Sequence, residues 1–270
     1  MFSVLMSLYN KEEPQNLWEC LESIKSQTLQ ADEIVIVYDG FVNDSLNAIV
    51  ESFKDVLNIK VLPLKKNVGL GRALQKGLEY CQHEIVARMD TDDICQPNRF
   101  EKQINFILEN QDVDMLGTSI IEFDEENNQR LKALPENNEE IRKFSIWKNP
   151  LNHMTIVFRK SRVMEVGGYR HHLYMEDYNL WLRMISAGFR IENMPDTLVN
   201  ARVGKQMVEK RRGINYIKSE VELMRLKREL RLTGKYNGWL IFLVRSATRI
   251  APSGVLSFLY NKDRVKVKGL

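Results

Sequence analysis

The stretch Glu84-Ile85-Val86-Ala87-Arg88-Met89-Asp90-Thr91-Asp92-Asp93 decides how this chain is interpreted. Its apolar half predicts a buried strand, and three carboxylates follow where that strand should leave the sheet. Carboxylates so close together repel one another and raise one another's pKa. Mg²⁺ or Mn²⁺ would relieve this repulsion and keep coordination positions open for substrate phosphates. The stretch therefore indicates a metal-assisted enzyme that handles a phosphorylated or nucleotide substrate.

A simpler interpretation of Asp90, Asp92 and Asp93 is a solvated turn or a helix cap. Asp is common at such positions, and Pro97 opens a helix shortly afterwards. The position of the three residues directly after a buried strand favours the metal site.

The first 120 residues alternate strand and helix signals. We expect strands at 2–8, 33–38, 59–62 and 85–89, and helices at 14–26, 43–53 and 69–80. This alternation predicts an α/β fold whose central, mostly parallel sheet is flanked by helices, because parallel strands need crossover connections. Ligands gather at the carboxyl ends of such strands, and Tyr9, Asp39 and Asp90 each follow one. Farther along we expect a helix at 97–108, strands at 115–123 and 153–158, and an amphipathic helix at 176–187.

The composition is that of an ordinary globular protein, with 44% apolar and 28% charged residues. Cys20, Cys81 and Cys95 are odd in number and lack CxxC spacing, which argues against a disulfide framework or a zinc site. The first residues lack the basic region of a signal peptide, and no apolar run reaches the length of a spanning helix. We therefore expect a cytoplasmic protein, and we expect no nucleic-acid partner.

The net charge of +3 hides an asymmetry along the chain. Residues 201–270 hold 17 Lys and Arg but only 5 Asp and Glu, so the remaining residues are acidic overall. This region should be helical, and its apolar stretch 239–244 lies among Lys235, Arg245 and Arg249. Such a helix either packs on the body of the protein or lies in the plane of an anionic membrane. The sequence leaves both interpretations open.

Several other residues have both a structural and a functional interpretation. Asp39 is either a turn residue before Gly40 or an acceptor for a base or ribose. Arg72 follows Gly69-Leu70-Gly71, which lacks the third glycine of a dinucleotide fingerprint but could bring a helix N-terminus near phosphate. His153 is either a satisfied interior or rim histidine or a residue near the acceptor.

The pair Glu176-Asp177 either complements a helix dipole or supplies a general base whose apolar neighbours raise its pKa. Arg202, Lys205, Lys210, Arg211 and Arg212 form a basic cluster, which is either a solvated face or a partner for a diphosphate.

Taken in order, these motifs resemble the family 2 glycosyltransferases over about residues 2–205. The motifs that carry the resemblance are Ser7-Leu8-Tyr9-Asn10, Val37-Tyr38-Asp39-Gly40, Asn67-Val68-Gly69-Leu70-Gly71, the stretch 87–93, Gly167-Gly168-Tyr169 and the stretch 176–183. The resemblance implies a GT-A nucleotide-diphospho-sugar transferase fold at 1–205, followed by a basic helical C-terminal region at 206–270 that associates with a membrane or packs on the body.

The resemblance also implies roles for individual residues. Asp39 would bind the uracil of a UDP-sugar, with Tyr9 nearby, and Asn67 and Arg72 are further candidate substrate-binding residues. Asp90 and Asp92 match the DxD motif, Asp92 would be the direct ligand of Mn²⁺ or Mg²⁺, and Asp93 could share that task. Asp177 would be the catalytic base, with Glu176 beside it helping to hold the acceptor. His153 stays a candidate substrate-binding residue from its own position.

The chain also departs from the family pattern. Tyr38-Asp39 stands where two Asp residues are usual, Phe41 replaces a common serine, and no His follows residue 172 to complete a metal site. Arg202, Arg211 and Arg212 would then neutralise the diphosphate instead.

The implied activity is an inverting transfer of galactose or glucose from a UDP-sugar to an undecaprenyl-diphosphate-linked GlcNAc or GalNAc. The linkage would be β-1,3, made during O-antigen or surface-polysaccharide synthesis on the inner face of the bacterial cytoplasmic membrane. The alternatives are a sugar-phosphate nucleotidyltransferase, which would release pyrophosphate, and a non-catalytic module that binds membrane surfaces.

Overall fold

The computed structural model describes residues 1–204, 213–250, 254 and 264–266. Its first half alternates strands and helices: β1 (Phe2–Leu8), α1 (Pro14–Lys25), β2 (Glu33–Tyr38), α2 (Asp44–Phe53), β3 (Ile59–Pro63), α3 (Leu70–Tyr80), β4 (Ile85–Arg88), β5 (Ile94–Cys95) and α4 (Arg99–Glu109). The second half contains β6 (Met115–Phe123), β7 (Gln129–Lys132), α5 (Asn138–Ser145), β8 (Val157–Arg159), α6 (Lys160–Glu165), α7 (Glu176–Ala187), β9 (Ile191–Arg202), α8 (Ile214–Glu229), α9 (Lys235–Ile250) and β10 (Val265–Lys266).

One mixed sheet organises these elements, in the order β10-β7-β6-β8-β4-β1-β2-β3. The strands β4, β1, β2 and β3 run parallel, so the residues that follow β1, β2 and β4 emerge at one edge of the sheet. Strand β8 is antiparallel to both β4 and β6, and β9 runs parallel to β6. This α/β architecture confirms the expected fold class.

Apolar side chains cover both faces of the sheet. Helices α1, α2 and α4 pack on one face and contribute Leu17, Val50 and Phe100 to its core. Helices α3 and α7 cover the other face, where Leu74 and Trp181 are fully buried. Burying a large apolar side chain contributes roughly 1.5–3 kcal/mol, so both layers hold the sheet edge rigidly.

The expected strand at 153–158 is wrong in its first half. Residues 153–155 form a short 3₁₀ turn, and the strand begins only at Val157. The Thr155 hydroxyl donates to the Asn152 carbonyl at 2.8 Å and accepts from the Thr118 N–H at 3.0 Å. Such local bonds offer the backbone an alternative to the strand ladder.

The long strand β9 has no counterpart among the sequence-based expectations. Its pairing with β6 is interrupted between Met194 and Thr197, where the register shifts. Pro195 lies in this interval, and proline is confined to edges and bulges because it cannot donate to the ladder. This interruption hides the strand pattern in the sequence.

The basic C-terminal region contains the expected helices α8 and α9, but its residues Val265–Lys266 form the edge strand β10 against β7. Helix α8 packs against α7 through Tyr216 and Leu223, which contact Tyr178 and Leu182. Within the described ranges, no helix combines the length and the apolar character needed to cross a bilayer.

Candidate active site

The acidic loop after β4 brings Asp90, Asp92 and Asp93 together. One carboxylate oxygen from each lies within 4.8 Å of the others. Several contacts hold the loop. Among them, the backbone N–H of Arg202 donates to Asp93 Oδ1 at 2.8 Å, and the Thr91 hydroxyl donates to Glu12 at 2.7 Å.

The electrostatics of this loop fit a divalent cation. Burial raises the pKa of Asp92 to about 7, and the charges of Asp90 and Glu12 add to the shift. Burial and then Asp92 raise the pKa of Asp93 well above its usual value. Asp93 Oδ2 is buried and finds no hydrogen-bond donor among the described residues. Hard oxygen ligands that repel one another in this way are the donor set that Mg²⁺ and Mn²⁺ prefer.

Buried arginines beneath the acidic loop hold it in place. The Arg88 guanidinium forms an ion pair with Asp90. Arg99 is fully buried and donates to the Arg88 carbonyl at 2.6 Å and to the Met154 carbonyl at 2.9 Å. Arg99 was not among the predicted site residues, because these two carbonyls lie outside α4 and no local pattern marks the contacts.

Arg202 also serves the acidic loop in this structure. Its guanidinium donates to the Asp92 carbonyl at 3.2 Å and to Glu19 at 2.6 Å, and it stacks over the Phe123 ring at 4.7 Å. These contacts make Arg202 a support of the acidic loop, and its role as a partner for a diphosphate stays a prediction. Arg211 and Arg212 lie outside the described residues.

Asp39 joins two loops at the same sheet edge. Its carboxylate accepts from the backbone N–H groups of Val68 and Gly69 at 2.7 and 3.0 Å, and its carbonyl accepts from the Asn67 side chain at 3.2 Å. Gly40 has a φ of +88°, and a Cβ there would lie 2.6 Å from the Asn67 nitrogen. Glycine is needed on both counts, so the two loops are fixed against each other.

Tyr9 and Arg72 flank this edge with exposed side chains. Partial burial raises the pKa of Tyr9, and the charges of Glu12 and then Asp92 add to it, which places Tyr9 beside the acidic loop. Arg72 lies on the first turn of α3.

Glu176 and Asp177 begin α7 and face the same region. A Cβ on Gly71 would lie 3.0 Å from the Glu176 Cβ, so the start of α3 meets the start of α7 closely. Asp177 Oδ1 accepts from the Tyr178 N–H at 2.6 Å, and Oδ2 accepts from the Asn149 amide at 2.6 Å.

Burial is the largest cause of the pKa shifts of Glu176 and Asp177. It raises the pKa of Glu176 to about 7, with the charge of Asp177 adding to the shift. It also raises the pKa of Asp177, while the hydrogen bonds from Tyr178 and Asn149 lower it partway. The Arg88 charge acts on both carboxylates, and the Asp90 charge acts on Glu176. The acidic loop and the α7 pair are therefore electrostatic neighbours, joined by Arg88.

His153 is partly buried beside Tyr169, Trp181 and Arg88. Its Nε2 is 3.1 Å from the Tyr169 hydroxyl, and its ring meets the Trp181 ring edge-on at 5.7 Å. Burial and the nearby Arg88 charge lower its pKa well below the usual value, so it is neutral. The satisfied-histidine interpretation describes these contacts best, although the ring borders the candidate site.

A sheet edge that carries an acidic cluster opposite a helix-borne carboxylate pair is the arrangement of a GT-A sugar-nucleotide transferase. Residues 3–173 match the model of the family described as Glycosyl transferase family 2. The chain belongs to this family and has the GT-A fold.

Two curated relatives cover nearly the whole chain. The "Amylovoran biosynthesis glycosyltransferase AmsE" of Erwinia amylovora is 57% identical over 98% of this chain and 99% of its own length. The "UDP-Gal:alpha-D-GlcNAc-diphosphoundecaprenol beta-1,3-galactosyltransferase" of Escherichia coli is 36% identical over 97% of this chain and 95% of its own. These relatives favour glycosyl transfer over the nucleotidyltransferase and non-catalytic alternatives.

A solved structure supports the fold independently. Residues 1–349 of S. aureus TarS, crystallised with UDP-GlcNAc, superpose with a TM-score of 0.70 over 90% of this chain and 72% of that one, at 20% identity.

The acidic loop yields the first prediction. We expect Mn²⁺ at a hundred times its dissociation constant to stabilise the protein by about 2.7 kcal/mol, as for any ligand that binds only the folded state. Asp92→Asn should lose this stabilisation. Without metal, Asp92→Asn should be at least as stable as the wild type at pH 8, because the raised pKa of Asp92 shows that its charge is unfavourable in the folded state.

Thermal unfolding with Mn²⁺ and with EDTA measures both effects. Asp55→Asn, which changes an exposed carboxylate, is the control and should behave like the wild type. An undiminished response of Asp92→Asn to Mn²⁺ would remove Asp92 from the candidate metal site.

Proposed function

We propose that this protein is an inverting, metal-dependent glycosyltransferase with a UDP-hexose donor, galactose or glucose. The acceptor in this proposal is GlcNAc or GalNAc on undecaprenyl diphosphate, and the product is a β-1,3 linkage in O-antigen or exopolysaccharide synthesis. The observation that carries the proposal is the position of Asp177. Its carboxylate is buried and accepts a hydrogen bond from Asn149. The positive charge of Arg88 acts both on Asp177 and on the carboxylates of the acidic loop.

The names of the relatives support the donor and acceptor. The E. coli relative is named for galactose transfer from UDP-Gal to GlcNAc-diphosphoundecaprenol, and the Erwinia relative for amylovoran synthesis. The identity to both extends along nearly the whole chain, including the C-terminal helices.

Asp177 would act as the general base of the transfer. Its carboxylate takes the proton from the acceptor hydroxyl as that oxygen forms a bond to the anomeric carbon, while the bond from that carbon to UDP breaks on the opposite face. A single displacement of this kind inverts the anomeric configuration, so an α-linked donor gives a β-linked product. Glu176 would hold the acceptor beside the base.

The donor would bind along the sheet edge. Asp39 and Asn67 would contact the uracil side, with Tyr9 and Arg72 around it, and Asp90 the ribose or diphosphate. Asp92 and Asp93 would hold Mn²⁺ or Mg²⁺, which when bound supplies positive charge to the leaving diphosphate. Arg211 and Arg212, which lie outside the described residues, stay candidates for the same diphosphate.

The proposal includes a membrane surface as a partner, which would place the enzyme on the cytoplasmic face. Helix α9 exposes a row of apolar side chains at helical spacing, namely Tyr236, Trp239, Leu240, Leu243 and Ile250. Its region carries the excess of basic residues, which suits anionic headgroups. Residues 206–270 would then form a membrane-associating region beside the transferase domain of residues 1–205.

The base assignment predicts a separation of binding from turnover. Asp177→Asn should lower kcat by roughly 10²–10⁴, the usual contribution of a general base, and leave UDP affinity unchanged. UDP release from UDP-galactose with a synthetic GlcNAc-diphosphate-lipid measures turnover, and calorimetry with UDP and Mn²⁺ measures binding.

The matched control is Asp44→Asn, which changes another Asp in the first turn of a helix, on the exposed start of α2. It should keep wild-type turnover. Wild-type turnover in Asp177→Asn would contradict the assignment of the base.

The membrane proposal predicts vesicle binding that depends on α9. The wild type should sediment with phosphatidylcholine vesicles that contain phosphatidylglycerol and much less with vesicles that lack it. The pair of substitutions Leu240→Ser and Leu243→Ser should reduce binding several-fold, because each removes exposed apolar contact area. Leu108→Ser, an exposed leucine on α4, is the control, and equal loss in both variants would contradict the role of α9.

A further inference from the structure

The segment 145–149, which begins at the last residue of α5, is held by donors from three helices. Its successive carbonyls at Ser145, Ile146 and Trp147 accept hydrogen bonds from the Tyr178 hydroxyl of α7, Lys227 Nζ of α8 at 2.6 Å and the Arg245 guanidinium of α9 at 2.6 Å. Lys227 also donates to the Tyr178 hydroxyl at 2.9 Å. The C-terminal helices therefore fix the backbone of this segment rather than only covering it.

The same segment ends at the side chain that contacts the proposed base. The Asn149 amide donates to Asp177 Oδ2 at 2.6 Å, and its carbonyl oxygen accepts from the Leu151 N–H at 3.3 Å. The second contact orients the amide so that its N–H points to Asp177. The other carboxylate oxygen is bonded to the N–H of Tyr178, the residue that Lys227 contacts.

Two of these donors, Lys227 and Arg245, carry charges that are costly to bury. Lys227 is 2% exposed, and burial followed by the charge of Arg245 lowers its pKa to about 7. Arg245 pairs with the buried Glu220 at 2.7 Å, and Glu220 also pairs with Arg249 at 3.1 Å. Buried ion pairs are weak contributors to stability and are often replaceable by apolar residues. Their presence here calls for a role beyond stability.

We propose that Asn149 is a positioning residue for Asp177, and that α8 and α9 hold Asn149 in place by clamping the segment 145–149 through Lys227 and Arg245. This inference rests on the proposed role of Asp177 as the base. The C-terminal helices then help to position the catalytic base, in addition to any contact that they make with a membrane.

The physical effect of Asn149 is to stabilise the charged form of the base. A hydrogen bond to a carboxylate lowers its pKa and opposes the effect of burial. The charged or titratable groups that act on Asp177, or on which it acts, are Arg88 of β4, Lys132 of β7, Tyr169, and Glu176 and Tyr178 of α7. None of these groups changes in an Asn149 variant, so a shift in the pH profile reports the lost hydrogen bond.

The test is the pH profile of kcat/KM for Asn149→Ala, with UDP-galactose and the synthetic GlcNAc-diphosphate-lipid. Loss of a hydrogen bond to a charged group should move the ascending limb upward by about one pH unit. UDP affinity should stay unchanged, because Asn149 is not among the proposed donor-binding residues. The free energy of unfolding should fall by about 1.4 kcal/mol at pH values above the limb, which is the one-unit pKa shift expressed as stability. An unmoved limb would overturn the role of Asn149.

Lys227→Met tests the clamp itself. It should move the limb in the same direction, and the double variant with Asn149→Ala should show no more than the Asn149→Ala shift, because Lys227 acts through Asn149. Lys218→Met, an exposed lysine on the same helix, is the control and should leave the profile in place. Additive shifts, or no shift in a folded Lys227→Met, would contradict the clamp. Should Lys227→Met not fold, Arg245→Leu gives the same test through the Trp147 carbonyl.

Asp177→Asn separates the two proposals. If Asp177→Asn loses turnover and Asn149→Ala keeps the wild-type limb, only the positioning inference fails. If Asp177→Asn keeps turnover, Asp177 is not the base and both fail together.

Discussion

Repulsion among Asp90, Asp92 and Asp93 is the constraint on which the rest of this structure depends. The fold holds three carboxylates within 4.8 Å at the end of a buried strand, where burial raises the pKa of Asp92 and of Asp93 and so makes their charges unfavourable. Arg88 pairs with Asp90 from below, and the backbone of Arg202 binds Asp93. These contacts fix the loop without neutralising it, because Asp93 Oδ2 has no donor among the described residues. A divalent cation would compensate the negative charge that these contacts leave on the loop.

Much of the fold follows from local pattern. Strand β2 and helix α7 were predicted with the observed bounds, Glu33–Tyr38 and Glu176–Ala187. The apolar pattern of each segment shows which of its side chains are buried, and so indicates its secondary structure. The acidic loop was found for a similar reason, since three carboxylates after a buried strand are a local feature. The role of Asp39 in fixing a second loop, by contrast, needed the structure.

The contacts that complete the site join residues far apart in the chain, and no local signal marks them. Asn149 reaches Asp177 across 28 residues, and Lys227 reaches Ile146 across 81. In the sequence, Asn149 is one residue of a polar loop, and Lys227 is one basic residue in a region rich in them. Helix α9 takes part in both the membrane proposal and the clamp proposal. The two do not compete, because one uses the exposed apolar row of α9 and the other uses the largely buried side chain of Arg245.

The most direct measurement of the central proposal is UDP release across a panel of UDP-sugars, with Mn²⁺ or with EDTA, and with GlcNAc- and GalNAc-diphosphate-lipid acceptors. We expect release from UDP-galactose or UDP-glucose that requires both the acceptor and the metal, and a product whose new linkage is β. Release that is unaffected by EDTA, or retention of the donor's α configuration, would contradict a metal-assisted displacement with Asp177 as the base. The absence of both release and UDP binding would overturn the proposed donor.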